Sequence, residues 1–198
     1  MQFINLAEQT RLLGQVAPTL ESLRAEVEQV RAGEISKPVR ELAPIAVRTH
    51  ELATRCTQQL AALSTSQYAA MKNGDENLAE LAEASAQVGL AAAMCTLAIH
   101  TRTEVLLYED ADVTPKASQR VLADAAERMD ASARSYRGLT QRLSRRLTSP
   151  TARREDQQLI DHALVGPGVT TTPSAAVRTA TNTPVPSPAW PAGAPRTR

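Results

Sequence analysis

Four long stretches of this chain place small apolar residues three and four positions apart, and short turn signals separate them. That spacing describes amphipathic helices whose stripes face a shared interior. From residue 3 to about 147 it predicts an all-α domain. Short connections make consecutive helices antiparallel neighbours, so the expected arrangement is an up-down-up-down antiparallel four-helix bundle. Residues 1–149 are assigned to that bundle and 150–198 to a disordered C-terminal tail.

The first helix is expected over about 3–32, with Phe3, Leu6, Leu13, Leu20, Leu23, Val27 and Val30 on its stripe. Pro18 should kink or break it near Gly14, because proline removes one helical hydrogen bond and clashes with the preceding turn. Gly33 suits a left-handed cap. The second helix starts at Ser36 as N-cap, tolerates Pro38 in its first turn, carries Val39, Leu42, Ala46, Thr49, Ala53, Cys56, Leu60 and Leu63, and ends at Asn73 and Gly74. Asp75 caps the third, whose seam is Leu78, Leu81, Ser85, Val88, Ala92, Cys95 and Ile99. Leu90, Met94 and Leu97 give it a second apolar face, which predicts the most buried helix of the four. Thr114 and Pro115 open the fourth, carrying Leu122, Ala126, Met129, Ala133, Tyr136, Thr140, Leu143 and Leu147.

Aromatic residues are only 3% of the chain, and alanine fills their place. Alanine has the highest helix propensity but buries little area per contact, which predicts a slim bundle. Eight of the 12 prolines follow residue 149. A segment so rich in Pro, Thr and Ala cannot bury enough surface to offset its ordering entropy. Within it a transient helix is expected at 152–164, and Trp190, between two prolines, is the candidate anchor of a short docking motif.

The net charge of +1 argues against a protein that binds polyanions through overall charge. Only Lys37, Lys72 and Lys116 among the 22 basic residues are lysines, the mark of a GC-rich, bacterial-type coding genome. The first residues lack the basic region and apolar core of a secretory signal. The uncharged run 84–101 falls short of a membrane span and reads as a core helix. Together with two cysteines, these features predict a cytoplasmic protein with free thiols and no membrane insertion.

Three constellations could carry chemistry. Cys56, Cys95, His50 and His100 fall at two heights of one helical hairpin, but each histidine is five or six residues from its own helix's cysteine. That spacing puts the two on different faces, so buried thiols are expected, with oxidative pairing or a shared metal as alternatives. The acids Glu76, Glu80 and Glu83, followed later by Glu109 and Asp112, form a second pattern. The segment 76–83 is similar to the first half of the ExxE…ExxD magnesium motif of the all-α nucleoside triphosphate pyrophosphohydrolases, with Asn77 departing from it. One unbroken helix would hold the two acid clusters about 40 Å apart, too far for shared coordination. The third is a basic band, Arg134, Arg137, Arg142, Arg145, Arg146, Arg153 and Arg154, uninterrupted by acids between Asp130 and Glu155. Antiparallel packing sets Arg142 and Arg146 level with Glu76 and Glu80, which would neutralise part of it. No aromatic residues are interleaved to stack on bases.

No phosphate-binding glycine loop, nucleophile elbow, HExxH or paired CxxC is present. The sequence therefore predicts a non-catalytic interaction or regulatory protein with no cofactor, metal or catalytic residue. An unidentified protein is the expected partner. A second copy of the chain is plausible through the alanine-rich stripes, and nucleic acid bound by the arginine band ranks lower. A metal-dependent nucleotide hydrolase requires a broken third helix.

Overall fold

The computed structural model describes residues 2–108 and 116–165, and these are all-α. Five helices follow in order: α1 (Leu6–Ala32), α2 (Pro38–Ser64), α3 (Gly74–Leu107), α4 (Lys116–Thr148) and α5 (Pro150–Val165), with a 3-10 turn at Gln67–Ala70 between α2 and α3. One isolated bridge, Gln2 with Ser66, is the only strand-like pairing among the described residues. The acidic turn at 109–112, Thr114, Pro115 and everything after residue 165 lie outside the described residues.

α3 packs closely on both α2 and α4, and α1 packs closely on α4 and much less on α2. The heptad positions meet in the interior: Leu13, Leu20 and Val27 from α1, Leu42, Cys56 and Leu63 from α2, Leu81, Val88 and Cys95 from α3, Leu122, Met129 and Tyr136 from α4. Each large side chain buried here contributes about 1.5–3 kcal/mol of transfer free energy. Small residues set how close the helices come. Ser132 Oγ of α4 donates to the Ala84 carbonyl of α3 at 2.7 Å. A Cβ on Gly14 of α1 would stand 3.3 Å from Thr140 Cγ2 of α4.

Several local expectations are corrected. α1 runs unbroken through Pro18, and α2 through Pro44. Both prolines sit on exposed faces, where water can reach the carbonyls they leave unpaired. Phe3 precedes α1 and is 64% exposed. Asn5 caps α1 by accepting the Glu8 N–H at 3.2 Å. Gly33 is extended, with φ −91°, rather than left-handed. Lys37, not Ser36, holds the N-cap position of α2, and the Glu41 carboxylate accepts its N–H at 3.0 Å. α2 stops at Ser64, nine residues before Asn73. The left-handed residue Asn73 (φ 59°) precedes α3, which begins at Gly74, one residue before Asp75.

The second apolar face of α3 is the largest departure. Leu90 and Leu97 are 46% and 47% exposed, while Met94 packs partly buried against the core, so the two leucines of this face are left uncovered by the described chain. α3 is the one described helix long and apolar enough to cross a membrane, by length and composition, and 39% of its apolar window is buried.

The sequence predicts a transient helix at 152–164 within the tail. α5 instead rests on α4 and the 3-10 turn and sends Ile160 into the core cluster.

Candidate functional site at the α4–α5 corner

The arginine band lies along the C-terminal half of α4 and the start of α5, and most of its charge is answered inside the molecule. Arg134 pairs with Asp130 one turn earlier at 3.0 Å. Arg137 pairs with Glu21 of α1, and Arg142 with Glu80 of α3. The Arg142–Glu80 pair is the level matching that the helix spacing predicted. All three are solvent-exposed, so each contributes about 0–1 kcal/mol.

Arg146 is different. It reaches across the Ser149 corner and donates to Asp156 of α5, at 2.5 Å from Nη2 and 3.2 Å from Nε, and more weakly to Glu155 at 3.5 Å. Asp156 is buried and also accepts the Lys72 backbone N–H at 3.2 Å. Lys72 Nζ donates to Glu155 at 2.7 Å. That hydrogen bond, with the nearby Arg146 charge, holds the Glu155 carboxyl below its ordinary range. The Asp156 carboxylate in turn raises the Arg146 guanidinium above its usual value. Close by, burial pushes the Tyr68 phenol up to about 12. Asp156 thus ties α5 to α4 and to the α2–α3 connection at once.

Replacing Asp156 with alanine should strip a partly buried guanidinium and a backbone N–H of their acceptor. The expected cost is about 1–2 kcal/mol, with Glu155 keeping part of the Arg146 interaction. Thermal denaturation should show the loss, and limited proteolysis should cut first near Ser149. Asp156→Asn, which keeps an acceptor oxygen, should lose less.

Three cations of the band remain. Arg145, Arg153 and Arg154 are exposed and make no ion pair or side-chain hydrogen bond among the described residues. They flank the same corner, Arg145 in the last turn of α4 and the other two within the first five residues of α5. Arg145 lines an open groove of about 380 Å³ with Lys72, Glu76, Glu80 and Arg142. The arrangement can hold an anionic group on the surface, and it offers no nucleophile or general base. Trp190 lies outside the described residues.

The remaining constellations do not assemble. Cys56 and Cys95 are both buried and free, while His50 and His100 are exposed. His50 Nε2 lies 3.3 Å from Thr96 Oγ1, and His100 lies 3.6 Å from Glu104. Burial pushes the Cys95 thiol up to about 11 and raises Cys56 as well, so both stay protonated at neutral pH. α3 is continuous through Gly89, which keeps Glu76, Glu80 and Glu83 on one helix far from its C-terminal end. Glu109 and Asp112 lie outside the described residues. A second groove, about 400 Å³ between α3 and α4, carries Glu83, Asp124 and Glu127 around Arg128, which donates to Gln87 at 2.6 Å. Among the described residues no three His, Cys, Asp or Glu side chains are placed to share a metal ion.

Sequence spacing located the arginines but could not separate those with partners from those without. The carboxylates that answer Arg137 and Arg146 lie 116 and 10 residues away, outside any local motif. Comparison with protein-family models, curated proteins and solved structures finds no match to this chain.

Proposed function

We propose that α1 to α4 form an antiparallel up-down-up-down bundle that serves as a non-catalytic interaction module of the cytoplasm. Its docking surface is the α4–α5 corner, where Arg145, Arg153 and Arg154 meet an acidic patch on a protein partner. The observation that carries this reading is the division of labour within the band: four arginines are consumed by internal pairs, and three at one corner are left free. The C-terminal segment with Trp190 is the proposed second contact.

Magnitude favours a protein over nucleic acid. Three free cations can neutralise about three phosphates, a salt slope of about −2.7, against the 6–10 contacts of established DNA binders. The flanking Glu155 and Glu76 would further oppose a polyanion. An acidic protein surface needs only a few well-placed arginines, which bind carboxylates bidentately.

The test compares affinity capture by the full chain with capture by the triple variant Arg145→Glu, Arg153→Glu, Arg154→Glu, with circular dichroism confirming that both are folded. A defined protein recovered by the former and lost by the latter supports the reading. Identical recovery overturns it. So does tight, steeply salt-dependent binding of a fluorescein-labelled DNA duplex.

A further inference from the structure

The outward side of α3 has a pattern of its own. Ala79, Ala82, Ala86, Leu90, Ala93 and Leu97 follow one another by steps of three and four, and all six are exposed. This is a second coiled-coil seam, on the side opposite the one that fills the core. Apart from Glu83 and His100 at its edges, no acidic or basic residue stands on α3 between Glu80 and Arg102. A contiguous apolar strip of this kind on a chain that is otherwise well covered with charge marks a contact surface.

We propose that this face binds a second copy of the chain, α3 against α3, in an antiparallel two-fold pair. The large and small residues decide the orientation. Turning a second α3 end for end about the midpoint between Ala91 and Ala92 sets Leu90 beside the other copy's Ala93, and Leu97 beside its Ala86. Each leucine then enters the space an alanine leaves, and the contact repeats itself through the two-fold axis, as a self-complementary dimer surface must. The charged groups agree. In this register Glu83 stands level with His100, Ala82 with Thr101 and Ala79 with Glu104, so no like charges face each other. A parallel pair would instead stack Glu83 on Glu83 and Glu104 on Glu104, and leucine on leucine.

The seam from Ala79 to Glu104 is about 38 Å long and about 10 Å wide, which covers on the order of 400 Å² per copy. That lies at the low end for specific association, so the dimer should be reversible, with a dissociation constant on the order of tens of micromolar. This surface is distinct from the arginine corner, and either assignment can fail without the other.

Sedimentation velocity of the full chain, from a few micromolar to several hundred, should show a monomer passing into a dimer. Leu90→Glu with Leu97→Glu should hold the chain monomeric throughout while leaving its helical circular dichroism unchanged, because both side chains are already half exposed. Val47→Glu, an exposed apolar residue of α2 off the seam, should dimerise like the parent. Register is read by mixing Leu90→Cys protein with Ala93→Cys protein under mild oxidation, which should give disulfide-linked dimer faster than either alone. A chain that stays monomeric at every concentration overturns the proposal. So does a dimer that survives the double glutamate variant, or a mixed-cysteine reaction no faster than the single ones. Co-sedimentation of the monomer with phosphatidylcholine–phosphatidylglycerol vesicles, lost in the glutamate variant, would assign the face to a lipid surface instead.

Discussion

Replacing Tyr136 with alanine is expected to lower stability by about 3–5 kcal/mol, as for other fully buried aromatic side chains. Tyr136 is 0% exposed and lies in the middle of α4, among the largest side chains of the core. In an interior built mostly of alanine, leucine and valine, few neighbours are long enough to move into the space it would leave. For a folded unit of about 160 residues the fall in Tm should be on the order of 10 °C. Tyr136→Phe should behave quite differently. The hydroxyl sits beside the Cys56 thiol and Ser85 without completing a well-formed hydrogen bond to either, and burial raises its pKa. Removing it takes away a buried polar group that gains little from its surroundings, so the change should be within about 1 kcal/mol and can be stabilising. Chemical denaturation of the two variants beside the parent checks both. An alanine variant as stable as the phenylalanine one would contradict the packing described here.

Gly74→Ala is the second large effect. A Cβ there would stand 2.5 Å from the Tyr68 carbonyl oxygen and 2.8 Å from that of Ala69. Both are backbone atoms of the 3-10 turn, so no side chain can swing aside. The turn itself must shift, and with it the buried Tyr68 and the Lys72 N–H that holds Asp156. Overpacking of this kind costs about 1–3 kcal/mol. It outweighs the gain of up to about 1 kcal/mol that alanine usually brings to a helix over glycine. Gly89→Ala should show that gain unopposed, because a Cβ at Gly89 meets nothing within 4 Å. The same substitution is thus expected to have opposite signs at two positions of α3, and equilibrium urea unfolding distinguishes them.

What the sequence revealed follows from what periodicity can encode. The three-four spacing placed Leu42, Cys56, Val88, Met129 and Tyr136 in the interior, and all are buried. Counting residues back from the connections also predicted that Arg142 would meet Glu80. Three things were hidden. The end of α2 was overrun because 65–73 holds Tyr68, Ala69, Ala70 and Met71, which continue an apolar rhythm without continuing the helix. The packing of α5 depends on Asp156 meeting Arg146 and the backbone of Lys72, a convergence from three separate segments. The exposure of Leu90 and Leu97 was missed because spacing shows that a face is apolar without showing what covers it. The arginine band was visible as a run of charge, but the division between paired and unpaired members rests on carboxylates that no local pattern brings near.

The extended residues ahead of α1 bear on how the chain can be handled. Gln67, 6% exposed, donates through its carboxamide to the Ile4 carbonyl at 2.7 Å and accepts the Ile4 N–H at 2.9 Å, while Gln2 exchanges backbone bonds with Thr65 and Gln67. A shortened version beginning at Leu6 would lose both hydrogen bonds of that carboxamide and the two backbone bonds of Gln2. Residues 2–5 therefore belong to the folded body, and any purification handle is better joined in front of them than put in their place.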